Sequence, residues 1–114
     1  MNNYAKELVS ALSAILPTIH ELALTSQTKA PCISWQERNN AINTLGNTRE
    51  YSNVSFTVKV WGTDLEEINN YAIAVDSALR ALGYKRASTG ELFDVNSTMI
   101  QKIMTYEALA LEVY

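Results

Sequence analysis

The chain has 114 residues, of which 47% are hydrophobic and 18% are charged, a size and composition typical of one globular domain. Nine lysines and arginines against twelve aspartates and glutamates give a formal net charge of -3, which leaves no cationic excess for general binding to a phosphate backbone. A single cysteine excludes an internal disulfide, and the apolar runs are far shorter than the roughly 20 residues of a membrane-spanning helix.

The start of the chain predicts a helix and no secretory signal. The sequence MNNYAKELV lacks the cationic and continuous apolar regions of a signal peptide, so we expect synthesis in the cytoplasm. Asn2 or Asn3 can cap a helix whose apolar residues recur at spacings of three and four. Pro17 disfavours helical backbone at the residue before it, so the helix is expected to end at Leu16, although residues 18–24 could add a further turn.

Alternating residues predict the central strands. From Ser52 to Trp61 apolar and polar residues alternate, which is the two-residue period of a strand with one solvated face. Cys32 to Trp35 is a shorter candidate with β-branched and aromatic residues. The connecting segment, residues 37–51, is longer than the usual hairpin loop of about two to five residues. It can be a disordered insertion, an extended hairpin arm, or a segment that orders against a partner.

A second helix is predicted after the alternating strand. The sequence Thr63-Asp64-Leu65-Glu66 is typical of a capping box, in which the Thr63 hydroxyl and the Glu66 carboxylate satisfy free amides of the first turn. Apolar residues then recur every three or four positions as far as Leu82. Gly83 suits the left-handed conformation that ends such a helix.

The C-terminal part predicts two more strands. Tyr84 to Ala87 is a strand candidate, and Ser88-Thr89-Gly90 is typical of a turn. Glu91 and Asp94 are then expected in a loop. From Ile103 to Ala110 the alternation favours a strand, although several of these residues also form helices readily. The order α-β-β-α-β-β predicts an α+β domain, with two helices packed on a mainly antiparallel four-stranded sheet.

No constellation of residues predicts catalysis, a metal centre or a cofactor. His20 and Cys32 are single copies without an obvious companion, so neither a zinc site nor a Cys–His nucleophile is supported. We expect Cys32 to be a small buried residue and His20 to lie at a helix end. Paired carboxylates have simpler explanations in helix capping and loops. The glycines are isolated and form no phosphate-binding loop.

One aromatic residue is unexpected on a solvated face. Trp61 falls on the polar face of the alternating strand, and Tyr51 has the same parity. A large aromatic side chain there indicates either packing at the end of the strand or coverage by a helix or a neighbouring subunit.

Three short motifs are similar to those of a known family. They are VKVW at Val58 to Trp61, LGYKR at Leu82 to Arg86, and KIMTY at Lys102 to Tyr106. With these motifs, and the order of elements around them, the chain resembles the tail-completion, or tail-terminator, proteins of long-tailed bacteriophages. The likeness covers most of the chain, and the motifs are structural patterns that contain no catalytic signature.

The resemblance implies an assembly role. Members form a ring, commonly hexameric, that caps the head-proximal end of the tail tube and meets the head-side connector or stopper protein. The implied partners are other copies of the chain, the tail-tube protein and that connector, while DNA passes through without specific binding and neither cofactor nor membrane is involved. The implied location is the neck of the virion tail, after synthesis in the host cytoplasm.

Position in the chain indicates candidate contact residues for this role. The segment from Asn39 to Glu50 would be an arm that orders on ring formation or on docking to the tube. Arg38, Arg49 and Glu50 are its candidate contact charges. Tyr51 and Trp61 are further candidates for contact with a subunit or the tube.

Other classes of protein stay open. A head-closure or connector-adaptor protein of the neck would be equally small, acidic and short of catalytic residues. A small cytoplasmic protein-binding regulator would show the same α+β pattern. An enzyme that uses His20 or Cys32 is the remote third alternative.

Overall fold

The fold is seen in a computed structural model that describes the backbone of residues 4–20, 30–45, 49–94 and 99–111. One five-stranded sheet has the strand order β1-β2-β3-β5-β4. Strand β1 is parallel to β2, and the other neighbouring strands are antiparallel. The chain is therefore α+β with a mixed five-stranded sheet, and the predicted four-stranded antiparallel sheet is wrong in this detail. The elements are, in chain order, α1 (Tyr4–Ser13), β1 (Thr18–His20), β2 (Cys32–Leu45), β3 (Arg49–Gly62), α2 (Leu65–Ala81), β4 (Lys85–Asp94) and β5 (Met99–Leu111).

The additional strand is β1, where the sequence left a further helical turn open. Its three residues pair with β2, and the Ile33 amide donates to the Pro17 carbonyl at 2.9 Å. The ring of His20 packs edge-on against Trp35, with 4.9 Å between ring centroids. His20 therefore lies in a strand, and its predicted place at a helix end is wrong.

The first helix ends before the predicted residue. The amides of Ile15 and Leu16 both donate to the carbonyl of Leu12, at 3.0 and 3.2 Å, so the chain tightens into a turn after Ser13. The predicted end at Leu16 is three residues too late, because this turn forms ahead of the proline.

The longest element is the hairpin of β2 and β3. Each strand has 14 residues, and their register runs from Cys32 opposite Trp61 to Leu45 opposite Arg49. An irregularity lies between Glu37 and Asn39. Wherever the structure describes segment 37–51, its backbone therefore belongs to this hairpin, and residues 46–48 lie outside the described part. Strand β5 continues alongside β3 as far as the hairpin's outer part.

The second helix has a different N-cap from the one predicted. Asp64 is the N-cap, with extended backbone, and its carboxylate accepts a hydrogen bond from the Glu66 amide at 3.0 Å. Its carbonyl accepts from the Ile68 amide at 3.0 Å. The capping box of Thr63 and Glu66 is therefore wrong, because the carboxylate one residue later satisfies the free amide directly.

The end of α2 is confirmed at Gly83. This glycine has φ +94°, and its amide donates to the Arg80 carbonyl at 3.0 Å. The Tyr84 amide donates to the Leu79 carbonyl at 3.0 Å. Together these bonds form a Schellman motif, and Tyr84 and Leu79 are both buried in the core.

Strand β4 replaces the predicted short strand and turn. Residues 88–90 lie within β4 and pair with β5, and Glu91 pairs with Lys102 instead of lying in a loop. Asp94 is the last residue of the strand. Pairing with a long neighbour overrides the turn preference of Ser-Thr-Gly. The strand predicted over 103–110 is confirmed as part of β5.

Both helices pack on one face of the sheet. The apolar residues of β3 predicted on the buried face are 0–1% exposed, which confirms the alternation. Each fully buried aliphatic or aromatic side chain contributes about 1.5–3 kcal/mol to stability. The largest fully buried side chains are Leu8, Leu12, Ile33, Val54, Phe56, Val58, Val60, Ile68, Val75, Leu79, Met104 and Tyr106.

Candidate functional site

The sheet face opposite the helices, which we call the uncovered face, is partly shielded from solvent. No described helix packs on it, because the helices contact the other face. Even so, Ser34, Thr57 and Gln101 on this face are only 0%, 7% and 6% exposed. These polar side chains are therefore shielded from solvent although no described helix covers them.

Trp61 supplies part of that shielding. Its indole N–H donates to the Ser34 hydroxyl at 2.8 Å, and its ring lies 6.0 Å from the Lys59 ammonium. In the register, Trp61 lies between Cys32 of β2 and Gln101 of β5. The indole is therefore half-buried across the uncovered face, and a contact with a neighbouring subunit stays a proposal.

The predicted contact residues do not form one cluster. Arg49, Glu50 and Tyr51 are the first residues of β3 and pair with the end of β2. Trp61 lies ten residues further along β3 than Tyr51, which corresponds to about 33 Å. Arg38 lies between these two ends, at the irregularity in β2. Any partner that touched all five residues would have to follow the length of the hairpin.

Charge differs between the two sides of the molecule. The start of α2 is acidic, because Asp64, Glu66 and Glu67 are all exposed there. On the uncovered face the Arg38 guanidinium is exposed and donates to the Thr57 hydroxyl at 3.4 Å. Among the charged residues whose side chains the structure describes, the register places Lys59, Lys85 and Glu107 on this face, and the hydrogen bond to Thr57 places Arg38 there.

Among the residues that the structure describes, the two edges of the sheet are open along most of their length. Strand β1 covers only residues 33–35 of β2, and no described strand pairs with the outer edge of residues 36–45. Strand β4 is the opposite edge, and its residues 85–93 are all exposed. Leu92 and Phe93 are 55% and 58% exposed. Sequence reasoning missed these two because it placed their segment in a loop.

One polar cluster joins two of the sequence motifs. The buried Tyr106 hydroxyl donates to Asp76 Oδ1 at 2.8 Å, and Arg80 Nε lies 2.9 Å from Asp76 Oδ2. Arg86 approaches the same carboxylate at 3.8 Å. Burial raises the pKa of Tyr106 most, the hydrogen bond and charge of Asp76 raise it further, and the two arginines oppose this. Arg86 and Tyr106 thus have a structural role between α2 and the sheet.

A groove of about 400 Å³ lies between α2 and strands β4 and β5. Ile73 on its rim is 69% exposed. The side-chain oxygen of Asn69 in its wall is buried, with no hydrogen-bond partner in the described part of the chain. The other lining residues are Ala72, Asp76, Arg86, Thr89, Lys102 and Met104.

The chemically reactive groups are few. Cys32 is buried, as predicted, and burial raises the pKa of its thiol, which disfavours the reactive thiolate. Over the ranges that the structure describes, no three His, Cys, Asp or Glu residues come close enough together to bind a metal ion. Neither of the two described helices is long and apolar enough to cross a membrane.

Comparison with known proteins gives a likeness of fold. No protein-family model matches the sequence, and no curated protein sequence matches it significantly. Among solved structures, the chain is similar to one in the virion of a native gene transfer agent particle. The two share 14% sequence identity with a TM-score of 0.66, over 92% of this chain and 84% of the other. The fold is therefore one that occurs in a virion.

Proposed function

We propose that this chain is a structural protein of a phage-like particle and acts as a tail terminator. In this role it forms a ring that caps the head-proximal end of the tail tube and joins it to the head connector. The observation that carries the proposal is the fold shared with a virion chain over 92% of this chain. A part in particle assembly needs complementary surfaces and no reacting groups.

The three motifs support the finer assignment, because each one lies at a structural junction. Val58 to Trp61 spans the buried end of β3 and the indole of the uncovered face. Leu82 to Arg86 forms the Schellman motif and the start of β4. Lys102 to Tyr106 brings the buried tyrosine to Asp76. The motifs that resemble the tail-terminator family are thus residues on which this fold depends.

The proposed partners follow from the same role. They are further copies of the chain in the ring, the tail-tube protein, and the connector or stopper protein on the head side. Arg38, Arg49, Glu50 and Tyr51 along the hairpin, together with Trp61, are the proposed contacts. A net charge of -3 favours passage of DNA through the ring without specific binding.

A deletion experiment tests the function. The gene is removed from the phage-like element that encodes it, and lysates are imaged by electron microscopy with and without a complementing copy. We expect filled heads separate from tails, and tails of uncontrolled length, because nothing would stop the tube from polymerising. Normal joined particles in the deletion strain would contradict the proposal.

The same images separate the alternatives. Tails of normal length beside unjoined heads would point to a head-closure or connector-adaptor protein. Normal particles with a change only in host physiology would point to a protein-binding regulator. Restoration by a copy that carries Cys32→Ala and His20→Ala would argue against an enzyme.

A further inference from the structure

The two open edges of the sheet have matching lengths. After the irregularity between Arg86 and Ser88, β4 pairs with β5 in continuous register over Ser88–Asp94. After its own irregularity, β2 pairs with β3 in continuous register over Asn39–Leu45. Each edge therefore presents a regular run of seven residues with no described neighbour on its outer side. Backbone groups on such an edge are a template for another strand.

Strand direction also suits pairing between copies. Strand β2 is antiparallel to β3, β3 to β5, and β5 to β4, so β4 is antiparallel to β2. A second copy placed beside β4 in the same orientation therefore presents its β2 edge in the antiparallel sense, which is slightly more stable per residue than the parallel one. Two different edges meet in this contact, and such heterologous contacts form a ring when the rotation between successive copies closes.

Exposed apolar residues on the β4 run and the uncharged composition of the β2 run favour association, while the β4 run also carries the charges of Glu91 and Asp94. Leu92 and Phe93 on β4 are more than half exposed. The run from Asn39 to Leu45, NNAINTL, contains no charged residue and no proline, which are the residues that commonly protect an edge from pairing. When the runs are aligned antiparallel with Leu92 opposite Ala41, Asp94 lies opposite Asn39, the residue next to Arg38.

Strand β1 sets an offset between copies. It occupies the outer edge of β2 at Ile33–Trp35, so an incoming strand must bind further along. Within the sheet of one copy, Leu92 is level with Cys32 across the strands, because Leu92 pairs with Gln101, Gln101 with Trp61, and Trp61 with Cys32. Full overlap of the two runs instead places Leu92 opposite Ala41 of the next copy, which is a shift of roughly 30 Å along the strand. A regular stagger of this kind is what closure of a sheet into a cylinder requires.

We infer that copies of this chain join by strand addition, with Ser88–Asp94 of one copy paired antiparallel with Asn39–Leu45 of the next. The result is one continuous sheet around the ring. This inference rests on the proposed function, because it takes the ring as the assembled form, and it adds the surface through which the subunits meet.

Cysteine cross-linking in assembled particles tests the inference. The deletion strain is complemented with the chain carrying Cys32→Ala, which removes the native thiol, together with Leu92→Cys and Ala41→Cys. Within one chain, three strand spacings separate β2 from β4, about 14 Å, whereas a disulfide needs α-carbons within about 7 Å. Any disulfide therefore joins two copies. Oxidised particles should give a ladder of cross-linked multimers on a non-reducing gel.

A shift of one residue provides the matched control. The register places residue 41 on the same face of the sheet as Leu92, whereas residue 42 falls on the opposite face. The pair Leu92→Cys and Ile42→Cys should therefore stay monomeric. A second pair, Thr89→Cys with Thr44→Cys, places both cysteines on the other face of the sheet, opposite each other, and should also give the ladder. This pair tests the inference if the first pair disturbs assembly.

The outcomes separate this inference from the proposed function. Particles that contain the protein but give only monomers with both matched pairs would overturn the inference and leave the function standing. Ladders of equal strength from positions 41 and 42 would also overturn strand pairing. If neither the native chain nor the Cys32→Ala chain is found in any particle, the proposed function itself is overturned.

Discussion

Replacing Tyr106 with phenylalanine removes one hydroxyl from the centre of the fold. The side chain is 0% exposed, its ring stacks with Phe56 at 5.8 Å, and its hydroxyl donates to Asp76 at 2.8 Å. A hydrogen bond to a charged acceptor contributes about 1.5–3 kcal/mol. Because Asp76 is 18% exposed and keeps its ion pair with Arg80, we expect a loss near the lower end, about 1.5–2 kcal/mol in the free energy of unfolding at pH 7.

The loss should depend on pH, with a sign set by the raised pKa of Tyr106. An unfolded tyrosine releases its proton near pH 10, about the ordinary pKa, whereas burial and Asp76 hold the proton on the folded protein to higher pH. The stability that Tyr106 contributes is therefore complete below about pH 10 and falls above it by about 1.4 kcal/mol per pH unit. Phenylalanine does not titrate, so the difference between the two proteins should close near pH 11–11.5.

Urea denaturation followed by far-UV circular dichroism at pH 7, 9, 10 and 11 measures both effects. Tyr71→Phe is the control, because Tyr71 is only half-buried on α2, and its substitution should change the free energy of unfolding by less than about 0.5 kcal/mol. Equal stability of wild type and Tyr106→Phe at pH 7 would refute the role of the hydroxyl. A difference that stayed constant up to pH 11 would refute the pKa argument.

Three further substitutions test local features of the fold by the same denaturation assay. Asp64→Ala should cost about 1 kcal/mol because Asp64 is the N-cap, while Thr63→Ala should cost much less; the reverse order would restore the capping box. Gly62→Ala should cost about 1–3 kcal/mol because a Cβ there would lie 2.9 Å from Ile68 Cγ1, whereas Gly90→Ala, with open space around it, should be nearly neutral; equal effects would contradict this packing. Gly83→Ala should cost about 1 kcal/mol because its φ of +94° is unfavourable for alanine, and an unchanged midpoint would argue against the Schellman motif.

Local sequence patterns were sufficient to predict an element where one side of it is buried and the other side is exposed to solvent. The alternation in β3 is a direct consequence of the helices that cover its Val54 to Val60 face. The end of α2 was equally predictable, because only glycine adopts the conformation at Gly83 without strain. The strand assignment of β5 also followed from its period.

The elements that were missed, or left open as the extended hairpin arm at 37–51 was, depend on partners that are distant in sequence. The segment 37–51 is rich in asparagine, which is uncommon in strands, yet β3 pairs with β5 as far as Tyr51 opposite Leu111. The strand at Thr18–His20 has only three residues and exists through pairing with β2. Ser88 to Gly90 has the composition of a turn, and pairing with β5 makes it a strand.

The same limitation applies to the candidate site. Trp61 could be singled out because a large aromatic stood on a polar face. Leu92 and Phe93 could not, since their exposure matters only once β4 is known to be a sheet edge. The contact between Arg86 and Asp76 joins β4 to α2, and no local sequence pattern predicts how these two elements lie relative to each other.

The central proposal is that this chain is a structural part of a phage-like particle. The most direct test is quantitative mass spectrometry of particles purified on a density gradient from the strain that encodes it. We expect its peptides to sediment with joined particles at a fixed, small copy number per tail, equal to one ring. Peptides found only in the free protein fraction, with none in joined particles, would contradict the account.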